Sequence, residues 1–366
     1  MTRARLLTLL ACALVAGRTA RAQDSEFGIR GLGTPGRWES GRARTGGGAF
    51  AAFDPASTLT EAALADIGSV TASVAEAATF RHVEAPGVGT WLRSTRYPLL
   101  TVGGPVSSGL FVSGGFSTYL DRSYNAVTRD SVVLRGVTQQ FTDAITSDGG
   151  VSDVRLAAAA RIGSRLALGA GLHLLAGSTR MTATRNFDDT TVYFDARQTG
   201  TVRYEGLGVS GSALLTVTPT VSLAGFARRD GHLSGYVGDT LVTRTDLPAT
   251  VGAALRWTPL ASARFAASVM WRSWSRAGPN MFDTVNWAAG LEVGKGAPLR
   301  VGVRGGQLPF GVTGTAPSEW GAAVGLGRVL AGGHGLLDVG LERLARDGGG
   351  LHERVWTLVL GLTVRP

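Results

Sequence analysis

The chain has 366 residues, of which 53 are glycine, 44% are hydrophobic and only 17% are charged, with a formal net charge of +9. A chain this apolar either buries a large soluble core or turns an apolar face to lipid, yet after Gly17 no stretch reaches the roughly 20 uncharged apolar residues that a spanning helix requires. The basic balance does not point to nucleic acid, because the arginines are spread along the whole length without a cluster or interleaved aromatics.

Residues 1–22 read as a secretory signal. Arg3 and Arg5 make a basic start, residues 6–17 are uncharged, and Ala20-Arg21-Ala22 gives the small-x-small ending that predicts cleavage after Ala22. The run is too short for a membrane anchor. Cleavage removes Arg3, Arg5, Arg18 and Arg21, so the formal charge of +9 falls by four to +5. It also removes Cys12, the only cysteine, and leaves no disulfide framework and no thiolate metal site.

Residues 23–66 come next, rich in Gly, Ala, Arg and Thr. They are too apolar for a linker and too short for an independent domain. A plug folded inside a larger structure is the economical reading.

From residue 67 to 366 the hydrophobic period is two. Leu110, Val112, Phe116 and Leu120 alternate with Phe111, Ser113, Ser117 and Tyr119. Leu166, Leu168, Ala170, Leu172 and Leu174 alternate with Arg165, Gly169, Gly171 and His173. Leu247, Ala249, Val251, Ala253, Leu255 and Trp257 oppose Asp246, Thr250 and Arg256, and the pattern recurs to Trp356, Leu358, Leu360, Leu362 and Val364. Such segments are strands with one apolar and one polar or small face. Their length, about ten residues, is what a tilted strand needs to cross a bilayer. Trp257, Trp271, Trp320 and Trp356 stand at the ends of apolar faces, where an interfacial girdle belongs. Short turns at Gly163-Ser164, Pro219-Thr220, Pro259-Leu260, residues 295–298 and residues 332–334 alternate with longer, more polar links at 121–150, 178–200, 275–280 and 307–317. This predicts an all-β fold: a transmembrane antiparallel β-barrel of about fourteen strands, with short turns on the periplasmic side. The soluble alternative, a large sandwich or propeller, is disfavoured by the scarcity of charge and the lack of a repeat of about forty residues. A lumen of that size is either plugged or leaks.

The segment Gly41-Arg42-Ala43-Arg44-Thr45-Gly46-Gly47-Gly48-Ala49-Phe50-Ala51-Ala52-Phe53-Asp54-Pro55-Ala56-Ser57 resembles the N-terminal signature of the FadL-type outer-membrane transporters, in which a glycine-rich stretch leads into Asn-Pro-Ala. Asp246-Leu247-Pro248-Ala249 at a strand start and the ending from Glu353 to Leu362 look similar to that family too. The resemblance implies a fourteen-stranded barrel with an N-terminal hatch, passively carrying long-chain fatty acids or other hydrophobic compounds across a bacterial outer membrane. It places Gly46, Gly47, Gly48, Asp54, Pro55 and Ala56 in the hatch motif. Asp54 replaces the family's Asn, exchanging a donor and acceptor for an acceptor-only group. Ligand contacts are expected at Phe50, Phe53 and the inward Phe226, on apolarity alone.

Other chemistry is weak. Gly31-Leu32-Gly33-Thr34-Pro35-Gly36 matches a dinucleotide fingerprint only formally, because no strand precedes it and Pro35 interrupts it. His82, His173, His232, His334 and His352 lack metal-ligand spacing, and no Gly-x-Ser-x-Gly elbow occurs. Asp188, Asp189 and Asp195 read as a solvated loop rather than a calcium site. The charges Arg244, Asp246, Arg256, Arg264 and Arg272 are expected to face the lumen and pair there, since an unpaired buried charge is costly. The expectation is a monomeric, cofactor-free, metal-free and non-enzymatic barrel whose partners are hydrophobic small molecules, membrane lipid and lipopolysaccharide. The competing readings are a scaffold or shuttle for secreted proteins, a non-specific porin, and a barrel enzyme acting on lipid.

Overall fold

The computed structural model describes residues 25–29, 31–85, 88–189, 192–311 and 314–365. The expected signal peptide, residues 1–22, and its cleavage after Ala22 lie outside the described residues. The N-terminal part contains two short helices, α1 (Glu26–Ile29) and α2 (Gly41–Thr45), a two-residue strand β1 (Thr34–Pro35), and 3₁₀ turns at Ala51–Phe53 and Ala62–Asp66. Strands then dominate: β2 (Thr71–Ala85), β3 (Val88–Pro105), β4 (Leu110–Asp121), β5 (Tyr124–Leu134), β6 (Val137–Ile162), β7 (Leu166–Phe187), β8 (Ala196–Thr218), β9 (Val221–Asp230), β10 (His232–Val237), β11 (Thr240–Asp246), β12 (Ala249–Leu260), β13 (Ala263–Arg272), β14 (Thr284–Val293), β15 (Leu299–Gln307), β16 (Ser318–Leu330), β17 (Gly335–Gly348) and β18 (Leu351–Val364).

Among the described residues, β2, β3, β4, β6, β7, β8, β9 and β12 to β18 pair antiparallel in that order, and β18 returns to β2 from His352↔Glu84 to Val364↔Ala72. The result is a closed barrel of fourteen strands. Closure leaves no unpaired edge, which a lipid-facing sheet requires.

The alternation read from the sequence sorts residues across this wall. On β18, Trp356, Leu358 and Leu362 face out, while Glu353, Val355, Thr357 and Val359 are buried inside. On β16 the outward set is Trp320, Val324 and Leu326, against inward Glu319, Gly321, Ala323 and Gly325. An exposed band of Leu, Val and Trp around a closed barrel is a lipid-facing surface. Trp271, Trp320 and Trp356 face outward near its long-loop end and Trp257 near its short-turn end.

Four readings of the sequence change. The links at 121–150 and 178–200, expected as loops, are mostly strand. β6 alone has 26 residues, or roughly 85 Å at about 3.3 Å per residue, against a hydrocarbon core of about 30 Å. The β5–β8 hairpins therefore rise beyond the membrane, held by cross-strand pairs such as Arg185, which donates to Asp143 at 2.8 and 2.7 Å and lies 3.9 Å from the Phe141 ring centre. The turn expected at Pro259-Leu260 falls at residues 261–262, with Leu260 paired to Ala263. Leu120 is fully buried, because a register shift between Thr118 and Leu120 turns the end of β4 inward. Leu247, expected on the lipid face, precedes β12 and packs in a cluster with Trp38 and Trp274.

Candidate functional site

The N-terminal segment, residues 25–66, is mostly buried against the inward face of the wall. Its shape comes from local chemistry. Ser40 caps α2, its Oγ accepting from the Ala43 N–H at 3.1 Å. The same hydroxyl donates to Asp54, whose other carboxylate oxygen accepts from the Ala56 N–H at 3.3 Å. Asp54 therefore serves purely as an acceptor, which a carboxylate does as well as the amide oxygen of an asparagine. Gly47 and Gly48, at φ +72° and +91°, end α2 in a conformation that other residues adopt only under strain.

The wall receives this segment on glycine. Gly290, Gly302, Gly325, Gly340 and Gly361 face inward on β14 to β18 and leave room for its backbone. A Cβ at Gly302 would stand 2.1 Å from the Gly46 carbonyl oxygen. At Gly325 and Gly340 it would stand 2.3 and 2.5 Å from Thr45 side-chain atoms. Beside the glycines runs a row of buried acids, Glu292, Glu319, Asp338, Glu342 and Glu353. The segment's arginines meet them: Arg42 lies 3.1 Å from Glu292, and Arg44 lies 3.2 Å from Glu342, which also pairs with Arg37. From the wall, Arg264 and Arg300 join Glu292, and Arg304 and Arg346 join Glu319. Buried charges persist only when partnered in this way.

Across the lumen a second contact is built on Glu61. Ser210 donates to its Oε1 at 2.6 Å and Ser212 to its Oε2 at 2.8 Å, while Ser212 Oγ accepts from the Glu61 and Ala62 N–H groups. Ser210 Oγ is also 2.8 Å from His173 Nε2, and His173 Nδ1 lies 2.9 Å from the Asp153 carboxylate. These are the distances of a Ser-His-Asp triad. Here, though, the serine faces a carboxylate, and none of the three residues lines either cavity described below. Asp153 is bound further to Arg228, Arg228 to Asp230, and Asp230 to the Tyr119 hydroxyl. The chain of bonds fastens the segment to β4 and β6 to β9.

Two cavities flank residues 42–56. The upper one, about 120 Å³, lies toward the long-loop end and is bordered by Gly47, Gly48 and Ala51 of the segment. Trp38, Leu59, Phe226, Met270 and Trp274 supply apolar lining, together with Arg272. The lower one, about 150 Å³, lies toward the short-turn end beside Arg42, Asp54, Pro55 and Ala56.

The residues singled out from sequence separate accordingly. Phe226 lines the upper cavity. Phe53 packs in the same apolar cluster as Phe226, under Arg256, whose guanidinium carbon lies 4.8 Å from its ring centre. Phe50 is buried with Ala43, Ala49, Ala51 and Ala266 and borders neither cavity. Of the expected lumenal charges, Arg256 lies 3.8 Å from Asp66, and Arg264 is paired with Glu292. Arg244 and Asp246 stand instead on the β10–β11 hairpin beyond the lumen, Asp246 beside His232. Arg272 faces the lumen and lies over the Trp38 ring at 4.2 Å, and among the described residues no carboxylate lies within ion-pair distance of it. Trp38, Trp274 and Glu61 escaped the sequence reading. A tryptophan within a glycine- and arginine-rich stretch was the one available signal.

No protein-family model matches the chain, and no curated protein is significantly similar to it in sequence. Solved structures share its architecture. A Pseudomonas aeruginosa FadL homologue superposes with a TM-score of 0.61 at 13% identity, covering 91% of this chain and 99% of that one. The P. putida toluene transporter TodX gives 0.60 at 13%, covering 92% and 99%, and the CymD monoaromatic hydrocarbon channel 0.60 at 12%, covering 92% and 98%. With its fourteen strands and the glycine-rich segment leading into Asp54-Pro55-Ala56, the chain has the fold of the FadL-type outer-membrane transporters.

Proposed function

We propose that this chain is a passive channel of a bacterial outer membrane that carries hydrophobic compounds inward, with residues 25–66 acting as its hatch. The observation that carries this reading is the pair of cavities on opposite sides of the 42–56 stretch. A solute entering from the long-loop side reaches an aromatic-lined chamber and then meets the hatch, beyond which Asp54-Pro55-Ala56 borders the way out. An apolar solute needs such a chamber, because lipopolysaccharide and hydrophilic pores both exclude it. The buried hatch argues against an open porin. The solved neighbours include a toluene transporter and a monoaromatic hydrocarbon channel, which supports the same solute class.

Size separates the solutes. A cavity of about 150 Å³ holds benzene, so the upper chamber of about 120 Å³ suits one compact ring or part of an acyl chain. A long-chain fatty acid passes only when the hatch moves, and Phe50 and Phe53, inside the hatch packing, contact it only then.

The test is uptake of labelled toluene and of a labelled long-chain fatty acid by intact bacteria that lack a hydrophobic channel, with and without this chain folded in their outer membrane. Faster uptake of either solute supports the channel. Unchanged uptake of both removes it and puts the scaffold reading first.

A further inference from the structure

Five buried side-chain atoms from residues of the upper chamber's lining lack a hydrogen-bond partner among the described residues, two of them Thr34 Oγ1 and Arg304 Nη1, the latter beside Glu342. The other three are the donors Arg272 Nε, Trp38 Nε1 and Trp274 Nε1. Their side chains are 9%, 7% and 2% exposed, and all three residues line the same cavity. A buried donor left unpaired costs about 1–3 kcal/mol, and each such group calls for an explanation. The other arginines of this lining are committed. Arg37 pairs with Glu39 and Glu342, Arg304 with Glu319, and Arg346 with Glu319 and Glu353. The Arg272 guanidinium instead lies against the Trp38 ring.

A neutral hydrocarbon satisfies none of these donors. A carboxylate, which only accepts, is a partner that each kind of donor can use, and a planar guanidinium favours it further through paired N–H bonds. Beside the paired charges the lining carries an apolar and aromatic part, Leu59, Phe226, Met270 and Trp287 with the two tryptophans, and its volume limits the ligand to about one ring. Resting on the channel reading above, we infer that the chamber selects compact aromatic carboxylates, with Arg272 holding the carboxylate and Trp38, Trp274 and Phe226 surrounding the ring. Arg272 is then the specificity-determining residue, and the solute enters as an anion with an apolar body.

The test measures binding of benzoate and of toluene, its uncharged counterpart, to the full-length, detergent-folded protein by calorimetry at neutral pH. Three variants are compared: Arg272→Gln, Arg272→Lys, and Trp38→Phe, which keeps a ring but loses the N–H. Far-UV circular dichroism and heat-modifiable migration establish that each is folded. The expected result is saturable benzoate binding that weakens by roughly tenfold or more in Arg272→Gln, as loss of a charged hydrogen bond predicts. Arg272→Lys recovers part of it, Trp38→Phe lowers it by a smaller factor, and toluene binding is unchanged throughout. Benzoate binding no tighter than toluene, or indifferent to Arg272→Gln, overturns the inference while leaving a hydrophobic channel intact. Failure of the folded protein to bind benzoate, toluene or palmitate overturns both readings.

Discussion

The Ser210 hydroxyl donates to the Glu61 carboxylate across 2.6 Å, joining a wall strand to the N-terminal segment through a group that also touches His173. Arg155 completes the contact 3.5 Å from the same carboxylate, and Glu61 and Arg155 are each 1% exposed. In a hydrolase the serine would face a substrate carbonyl. Here it faces the Glu61 carboxylate of the N-terminal segment.

Replacing Glu61 by Ala therefore leaves Arg155 buried without its carboxylate and removes the acceptor of two serine hydroxyls. Breaking a buried pair in this way costs about 3–5 kcal/mol. The loss is expected in the N-terminal segment rather than the barrel, so amide exchange at residues 58–66 should accelerate in detergent while β14 to β18 remain protected. Glu61→Gln, which keeps an acceptor, should lose less. Unchanged exchange in Glu61→Ala would show that the segment is held elsewhere.

The glycine-lined wall gives a steric prediction. Valine at Gly302 places a branched side chain where the Gly46 carbonyl oxygen already stands, 2.1 Å from the nearest possible Cβ. The opposing atom is backbone and cannot rotate away, so the penalty is at least the about 1–3 kcal/mol of ordinary overpacking. Gly302→Val should fold as a barrel with a displaced N-terminal segment, and single-channel recording should reveal ion conductance above the parent. A variant as closed as the parent counts against the docking surface.

A charge at an outward position of a strand should cost far more than a conservative change at its inward neighbour. Leu358 faces lipid near the middle of β18, so Leu358→Arg should lower folding stability in vesicles by about 2–4 kcal/mol. Thr357 is 1% exposed on the inner face; Thr357→Ser should change it by less than about 1 kcal/mol. Equal tolerance of both substitutions would contradict the assignment of faces.

The hairpins beyond the membrane carry a pH signature. Two hydrogen bonds from Arg185 hold the Asp143 carboxyl below its ordinary value. A carboxylate with a depressed folded pKa stabilises the structure above its unfolded pKa of about 3.9. That contribution is lost as pH falls through the lower, folded value. Acidification below about pH 4 should thus loosen the outer pairing of β6 with β7, around Asp143 and Arg185, while the barrel persists, as limited proteolysis would report. Arg185→Gln should raise the Asp143 titration midpoint, read by carboxyl NMR, toward the ordinary value.

How much of this was legible in the chain differs by region. The period of two, the tryptophans at strand ends and the spacing of turns determined the barrel, its approximate strand number and its lipid-facing side, because each depends on residues a few positions apart. The glycine-rich run into Asp54-Pro55-Ala56 marked the segment that fills the lumen. What sequence could not decide was partnership. Leu120 alternates correctly until a register shift turns it inward, and a shift belongs to two strands rather than one. Gly290, Gly302, Gly325, Gly340 and Gly361 lie in five strands, and become one surface only when those strands close beside α2. Arg264 and Arg272 look alike in the chain, both basic residues of β13, yet one meets Glu292 and the other the ring of Trp38. Local alternation fixes which way a side chain points. The closing of the barrel around its own N-terminal segment fixes what it meets there, because those partners come from residues hundreds of positions away.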